Sequence, residues 1–246
     1  MKLLFVGESW TKHTIHVKGF DSFTTSEYEE GAGAFLRAMK EYKVDVTYIR
    51  AHEIDEKFPS TYEEIKAYDA VILSDIGSNS FLLANQTFNH SQRSIDKLQL
   101  IEKYVRSGGG FGMIGGYMSF QGIDGKAKFK NTVIEKLLPV FLEKTDDRVE
   151  KPEGVNPKIE KQHEILNEVE NNWPHFLGYN ELKLKPHAEL ILSINEDPLV
   201  ALGEHGEGRS FIFSSDLAPH WGPKEFVEWQ SYPVFWKNIV SWVGKA

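Results

Sequence analysis

Four segments of this chain gather the residue types that acid–base chemistry needs: Gly7-Glu8-Ser9-Trp10, Ser74-Asp75, Gly115-Gly116-Tyr117-Met118-Ser119 and Ser214-Ser215-Asp216-Leu217-Ala218-Pro219-His220-Trp221. His220 lies between Pro219 and Pro223 and beside Trp221, which fixes it in a loop rather than on a helix face. An imidazole placed that way can act as a general base, donate to a ligand or make a structural hydrogen bond. Asp216 and Glu225 are near enough in sequence to orient it, in the usual logic of a base held by a carboxylate. Taken singly, Glu8, Ser9 and Asp75 equally suit turns and caps, because short polar side chains satisfy free backbone N–H groups. It is their recurrence at several strand ends, with Trp10, Tyr117 and Trp221 among them, that points to a binding pocket.

Other chemistries find less support. Ser119 and Ser9 are hydroxyl nucleophile candidates, but Gly-Tyr-Met-Ser-Phe is not the GxSxG pattern of a serine elbow. His13 and His16, three apart, would share one face if that stretch were helical, yet no dense His/carboxylate spacing accompanies them, so no metal is expected. The glycine cluster Ser107-Gly-Gly-Gly-Phe-Gly-Met-Ile-Gly-Gly116 fits neither GxGxxG nor a phosphate-binding GxxxxGK[ST], and no nucleotide or other cofactor is inferred.

The elements that must position these groups alternate. Short apolar runs at Leu3–Val6, Val44–Ile49, Ala70–Leu73 and Phe111–Ile114 read as buried parallel strands. Helical spacing covers Tyr28–Tyr42, Tyr62–Tyr68 and Asp96–Val105. Strand–helix alternation predicts an α/β fold, a mainly parallel sheet with helices on both faces, whose ligands bind beyond the carboxyl ends of the strands. That places all four segments on one edge. Farther on, Leu182–Leu184, Glu189–Ile194, Leu199–Leu202 and Ser210–Ser214 read as strands, with a hairpin turn at His205–Gly208 and a closing helix from Tyr232 to Val243. Asp146 through Pro157 is polar with two prolines and reads as an excursion outside the core. No linker or repeat divides the chain, so residues 1–246 are expected to form one domain with insertions.

Composition narrows the function classes. Lys and Arg number 28 against 36 Asp and Glu, a net charge of −8, which argues against a nucleic-acid surface. No apolar run is long enough for a signal peptide or a membrane span, and a cytoplasmic protein is expected. There is no cysteine, which removes disulfides, thiolate metal sites and thiol nucleophiles together.

The Gly-Gly-Gly-Phe-Gly-Met-Ile-Gly-Gly-Tyr turn and the Ser-Asp-Leu-Ala-Pro-His-Trp segment resemble a bacterial family of glutamine amidotransferase-like cytoplasmic proteins, relatives of the ThuA-like trehalose-utilisation group. Further matching pieces are Lys18-Gly-Phe-Asp21, Tyr68-Asp-Ala-Val-Ile-Leu-Ser-Asp75, Asp146-Asp-Arg-Val-Glu150 and Trp173-Pro. The resemblance implies a flavodoxin-like, class I amidotransferase-like three-layer sandwich. It also implies a sharp turn after Ile114 at which active members carry a cysteine nucleophile. Gly115 falls at that turn, His220 falls in the family's histidine segment, and Glu225 is a loose counterpart of its carboxylate. A thiol-based glutaminase reaction is therefore not expected. What is expected is a small polar ligand, of which a carbohydrate is one class, held by Glu8, Ser9, Trp10, Asp75, Gly115, Gly116, Tyr117 and Trp221, with His220, Asp216 and Glu225 as the acid–base set. The alternatives are a regulatory or assembly module on the same scaffold, and self-association is left open in both.

Overall fold

The apolar runs form strands for the reason the sequence suggests: they are buried on both faces. A computed structural model describes residues 1–245, and its central sheet has eight strands. Five of them run parallel: β1 (Lys2–Gly7), β4 (Asp45–Ile49), β5 (Ala70–Ser74), β6 (Gly110–Ile114) and β14 (Gly208–Phe213). The order across them is β4-β1-β5-β6-β14, and the sheet continues antiparallel through β13 (Asp197–His205), β12 (Glu189–Ile194) and β9 (Lys158–Ile159). Successive side chains of β1 feed two cores. Leu3 and Phe5 enter one with Phe35 and Trp236, while Leu4 and Val6 enter the other with Leu98, Ile101 and Met113. Helices Gly33–Glu41 and Tyr232–Gly244 cover the first face, and helix Lys97–Arg106 covers the second. The result is the flavodoxin-like, amidotransferase-like α/β sandwich.

The chain leaves β1 for β4 on one side and reaches β5 on the other. β1 and β5, paired from Leu3↔Ala70 to Gly7↔Ser74, thus flank the point where strand order reverses, and a crevice opens there at the carboxyl ends. Glu8 and Asp75 are the next residue on each strand.

Several expectations are corrected. The helix read over Tyr28–Tyr42 begins only at Gly33, because β2 (Ser9–Lys18) and β3 (Asp21–Glu30) form a two-stranded arm that takes Tyr28 opposite Thr11. His13 and His16 therefore sit on opposite faces of a strand, since side chains alternate with period two, and share no helical face. Tyr62–Tyr68 shrinks to a helix over Tyr62–Ile65. The polar stretch after Asp146 holds β8 (Arg148–Val155), paired antiparallel with β10 (Phe176–Asn180), so this excursion is structured and contributes the buried Asp147. The two-residue strands β7 (Val140–Phe141) and β11 (Lys183–Leu184) pair beside it.

Candidate functional site

Glu8 and Asp75 share a backbone conformation that non-glycine residues seldom adopt, with φ of 48° and 42°. Left-handed geometry costs a non-glycine residue some energy, more for Glu than for Asp, and surrounding bonds offset that cost at strand ends such as these. Here the bonds are visible. The Glu8 N–H donates to the Ser74 carbonyl at 3.0 Å, and the Glu8 carbonyl accepts from the Gly31 N–H at 2.9 Å and the Tyr48 hydroxyl at 3.0 Å. The Asp75 N–H donates to Ser119 Oγ at 3.1 Å, and that hydroxyl donates to the Ile114 carbonyl at 2.5 Å.

The side chains converge. Glu8 is buried, with Oε1 accepting from Ser74 Oγ at 2.6 Å and Oε2 lying against Gly31, where an added Cβ would come within 2.5 Å of it. Asp75 Oδ1 accepts from the Met118 N–H at 2.7 Å. Asp216, buried after β14, accepts from the Ala218 N–H at 3.0 Å and brings Oδ2 to 3.9 Å from His220 Nδ1. Burial pushes the Glu8 carboxyl well above the usual carboxylate range, and the charges of Asp216 and Asp75 add to it. Burial likewise raises Asp216, with Asp75 contributing, and raises Asp75 against the opposing pull of the Met118 N–H and His220. All three carboxyls are thus shifted upward, the direction that brings a carboxyl closer to acid–base work, with Glu8 and Asp216 buried and Asp75 half-buried.

An aromatic group adjoins them through His220. The Tyr117 and His220 rings meet edge-on with centroids 4.3 Å apart, and Trp221 lies 5.4 Å from Tyr117. Glu150 holds the pair together: Oε1 accepts from the Tyr117 hydroxyl at 2.9 Å and Oε2 from the Trp221 indole N–H at 3.0 Å. Arg148 lies 5.0 Å over the Tyr117 ring. Asn180 sits beneath, accepting from the Gly116 N–H at 3.1 Å and donating to Asp147 Oδ1 at 2.8 Å. Asp147 also receives the Gln121 and Gly122 N–H groups, yet burial still carries it to about 6. Glu150 and Asn180 were not singled out from sequence as site residues. The signal for Glu150 was the matching segment Asp146–Glu150, whereas Asn180 stood in no motif.

Gly115, the position that the family resemblance implies for the thiol, is tightly enclosed. A Cβ on Gly115 would lie 2.3 Å from the Ser214 carbonyl oxygen and 2.7 Å from that of Ser215, so the position excludes any side chain. A Cβ on Gly116, at φ of 140°, would lie 2.7 Å from Asp75 Oδ1. Backbone and the Asp75 carboxylate fill the space beside Gly115 and Gly116.

A cleft of about 460 Å³ opens beside this cluster, lined by Trp10, Glu29, Gly31, Arg37, Pro219 and Val227. Gly31 belongs both to this lining and to the surroundings of Glu8, with the Trp10 ring and Ala218 also beside it. A larger cleft of about 570 Å³, lined by Glu164, Arg209 and Trp242 among others, lies at the opposite end of β14 and holds none of these groups. Of the remaining candidates, Ser9 Oγ accepts from the Ala51 N–H at 2.8 Å, and Trp10 donates to Glu29 at 3.0 Å. Glu225 is exposed on the helix Lys224–Val227, so the carboxylate facing His220 is Asp216. The hydroxyl of the buried Ser119 is occupied by the Asp75 N–H and the Ile114 carbonyl, and no base lies among its hydrogen-bond partners to activate it as a nucleophile. Among the described residues, no group of three His, Asp or Glu is arranged to hold a metal ion, and no helix is long and apolar enough to cross a membrane.

The family model described as "Putative glutamine amidotransferase" (GATase1_like) matches residues 2–245. The chain belongs to this family. It is similar over 99% of both chains to two solved structures, Cytoplasmic Protein STM3548 from Salmonella typhimurium, at 45% identity and a TM-score of 0.96, and Cytoplasmic Protein STM1381 from Salmonella typhimurium LT2, at 46% and 0.96. A "Putative thua-like protein" from Bacteroides uniformis shares the fold at 13% identity and a TM-score of 0.57, with 98% of this chain and 90% of that one covered. No curated protein matches the chain. With no cysteine anywhere, this family member cannot form the thioester of a cysteine glutaminase.

Proposed function

We propose that this chain binds a small polar molecule of the polyol or carbohydrate class at the strand ends and moves a proton on it, with His220 as base, Asp216 as its orienting carboxylate and Glu8 as a substrate-binding carboxyl. The observation that carries this reading is the placement of two carboxylates on left-handed backbone at adjacent strand ends, Glu8 buried and Asp75 half-buried, with buried Asp216 reaching towards the His220 that packs on Tyr117. Like charges and strained backbone lower stability, and their concentration beside a cleft is what a site retained for binding would show. Aromatic faces match the C–H faces of a sugar ring, and carboxylates accept its hydroxyls. The 460 Å³ cleft has the size for one such ring, with Trp10 and Arg37 at its wall. A cytoplasmic location accords with the names of the two Salmonella relatives.

The test is a thermal-shift screen of sugars, sugar acids and polyols against wild type and Asp75→Asn/Asp216→Asn. A compound that raises the midpoint of wild type, and raises it far less in the variant, supports the reading, because a ligand selective for the native state stabilises it by mass action. Equal shifts in both proteins place the ligand elsewhere and sink it. With a ligand in hand, an unchanged turnover in His220→Ala would remove His220 as base. One observation favours a second reading, a non-catalytic regulatory module: the elbow at Gly115 is closed sterically as well as lacking a thiol. A screen with no hits, together with tight capture of a specific protein, would decide for it.

A further inference from the structure

The arm formed by β2 and β3 takes no part in the proton chemistry beyond its first residues, yet it carries a large share of the exposed apolar surface. Its ten cross-strand pairs run from Ser9↔Glu30 to Lys18↔Asp21, with Gly19 and Phe20 at the tip. The two faces differ. One presents Lys12, His16 and Lys18 opposite Glu27, Phe23 and Asp21, and it satisfies itself: Lys12 pairs with Glu29, and His16 stacks on Phe23 with centroids 4.5 Å apart. The other presents Ile15, Val17 and Tyr28 beside Ser22, Thr24 and Ser26. Ile15 and Val17 are 70% and 71% exposed, and Phe20 is fully exposed.

We propose that this second face is where two copies of the chain associate, arm against arm about a two-fold axis. An isolated two-stranded ribbon is marginally stable at best in water, so an arm of this length needs a cover that its own chain does not supply. The face is self-complementary in shape: a half-turn sets the bulky Ile15 and Val17 of one copy over the small Ser22, Thr24 and Ser26 of the other, which an isologous contact requires. Charge selects the same occupant. The chain carries −8 overall, so two copies repel over most of their surface, but from Thr11 to Tyr28 this face holds no Lys, Arg, Asp or Glu. A strand of ten residues spans roughly 33 Å and the pair about 10 Å, so two such faces bury on the order of 700 Å² before Phe20 is added. That falls short of the roughly 1,200 Å² at which standard specific interfaces begin, so the dimer is expected to be weak and concentration-dependent, in the upper micromolar range. Because the arm springs from Ser9, a partner that holds it also steadies the strand end bearing Glu8.

Sedimentation velocity on the full chain from roughly 1 to 200 µM tests this. Wild type is expected to pass from monomer towards dimer mass, and Ile15→Asp/Val17→Asp to stay monomeric throughout. A wild type that remains monomeric, or a double variant that associates like wild type, overturns the proposal. Hydrogen exchange on the wild type needs no variant to fold. Amides of residues 9–30 are expected to gain protection as concentration rises, and dimerisation with unchanged exchange in the arm would overturn it equally.

Discussion

Glu8 and Ser9 are adjacent in sequence, yet they begin two regions built on opposite terms. Glu8 enters a buried cluster in which carboxyl groups repel one another, the backbone is left-handed and hydrogen bonds from four strand ends hold the arrangement. Ser9 opens an arm in which Lys12 pairs with Glu29, whose backbone is regular and whose apolar side chains meet water. In the first region the core supplies rigidity and the local groups are strained against it. In the second the local structure is relaxed and a core is missing. Buried strain points to a ligand, and exposed apolar surface points to a partner.

Substitutions can break this contrast. The largest effect is expected from Gly115→Cys, which would introduce the thiol that the chain lacks. Its Cβ collides with two carbonyl oxygens of the β14 end, so denaturant unfolding should show a loss of roughly 3 kcal/mol or more and glutaminase activity should stay absent. A folded variant with wild-type stability would mean that the elbow is open. Asn180→Ala comes next, with an expected loss of about 2 kcal/mol, because it strips a donor from buried Asp147 and an acceptor from the Gly116 N–H. No change in the unfolding midpoint would show that water replaces it.

Glu8→Gln/Asp216→Asn should move stability the other way. Both carboxyls have folded pKa values raised above their unfolded ones, so the stability they contribute is full in acid, below the unfolded values, and is lost as pH rises through the raised folded values. The wild-type midpoint should therefore fall from pH 5 to pH 8 more steeply than that of the double variant. At pH 8 the variant should be more stable by about 1–2 kcal/mol while losing ligand binding. A variant less stable than wild type at pH 8 would mean that the carboxylates are anchored by bonds stronger than their repulsion. The smallest effect is expected in the arm: Ile15→Thr should leave the unfolding midpoint of the dilute monomer unchanged, since its side chain touches little of the core. A clear drop would show that the arm packs on its own chain.

The parallel strands were legible because burial on both faces writes itself as uninterrupted apolar runs, and β1, β5 and β6 match Leu3–Val6, Ala70–Leu73 and Phe111–Ile114 within a residue or two. Cysteine content, a covalent fact, settled on its own that no thiol chemistry occurs. The rule that α/β sites lie beyond the strand ends put Glu8, Asp75, Tyr117, Asp216, His220 and Trp221 on one edge before any distance was known. The arm was misread because Tyr28, Phe35, Met39 and Tyr42 recur at helical spacing, while β2 and β3 stand outside the core and lack the clear in–out alternation that burial imposes on a strand. Only the tertiary structure decided that Asp216 faces His220 while Glu225 faces solvent, that Glu150 ties Tyr117 to Trp221, and that backbone fills the space beside Gly115. Each of these depends on where residues distant in sequence come to rest. A one-dimensional pattern records a residue's own preference for burial or turn, and it does not record which group another strand will bring within 3 Å.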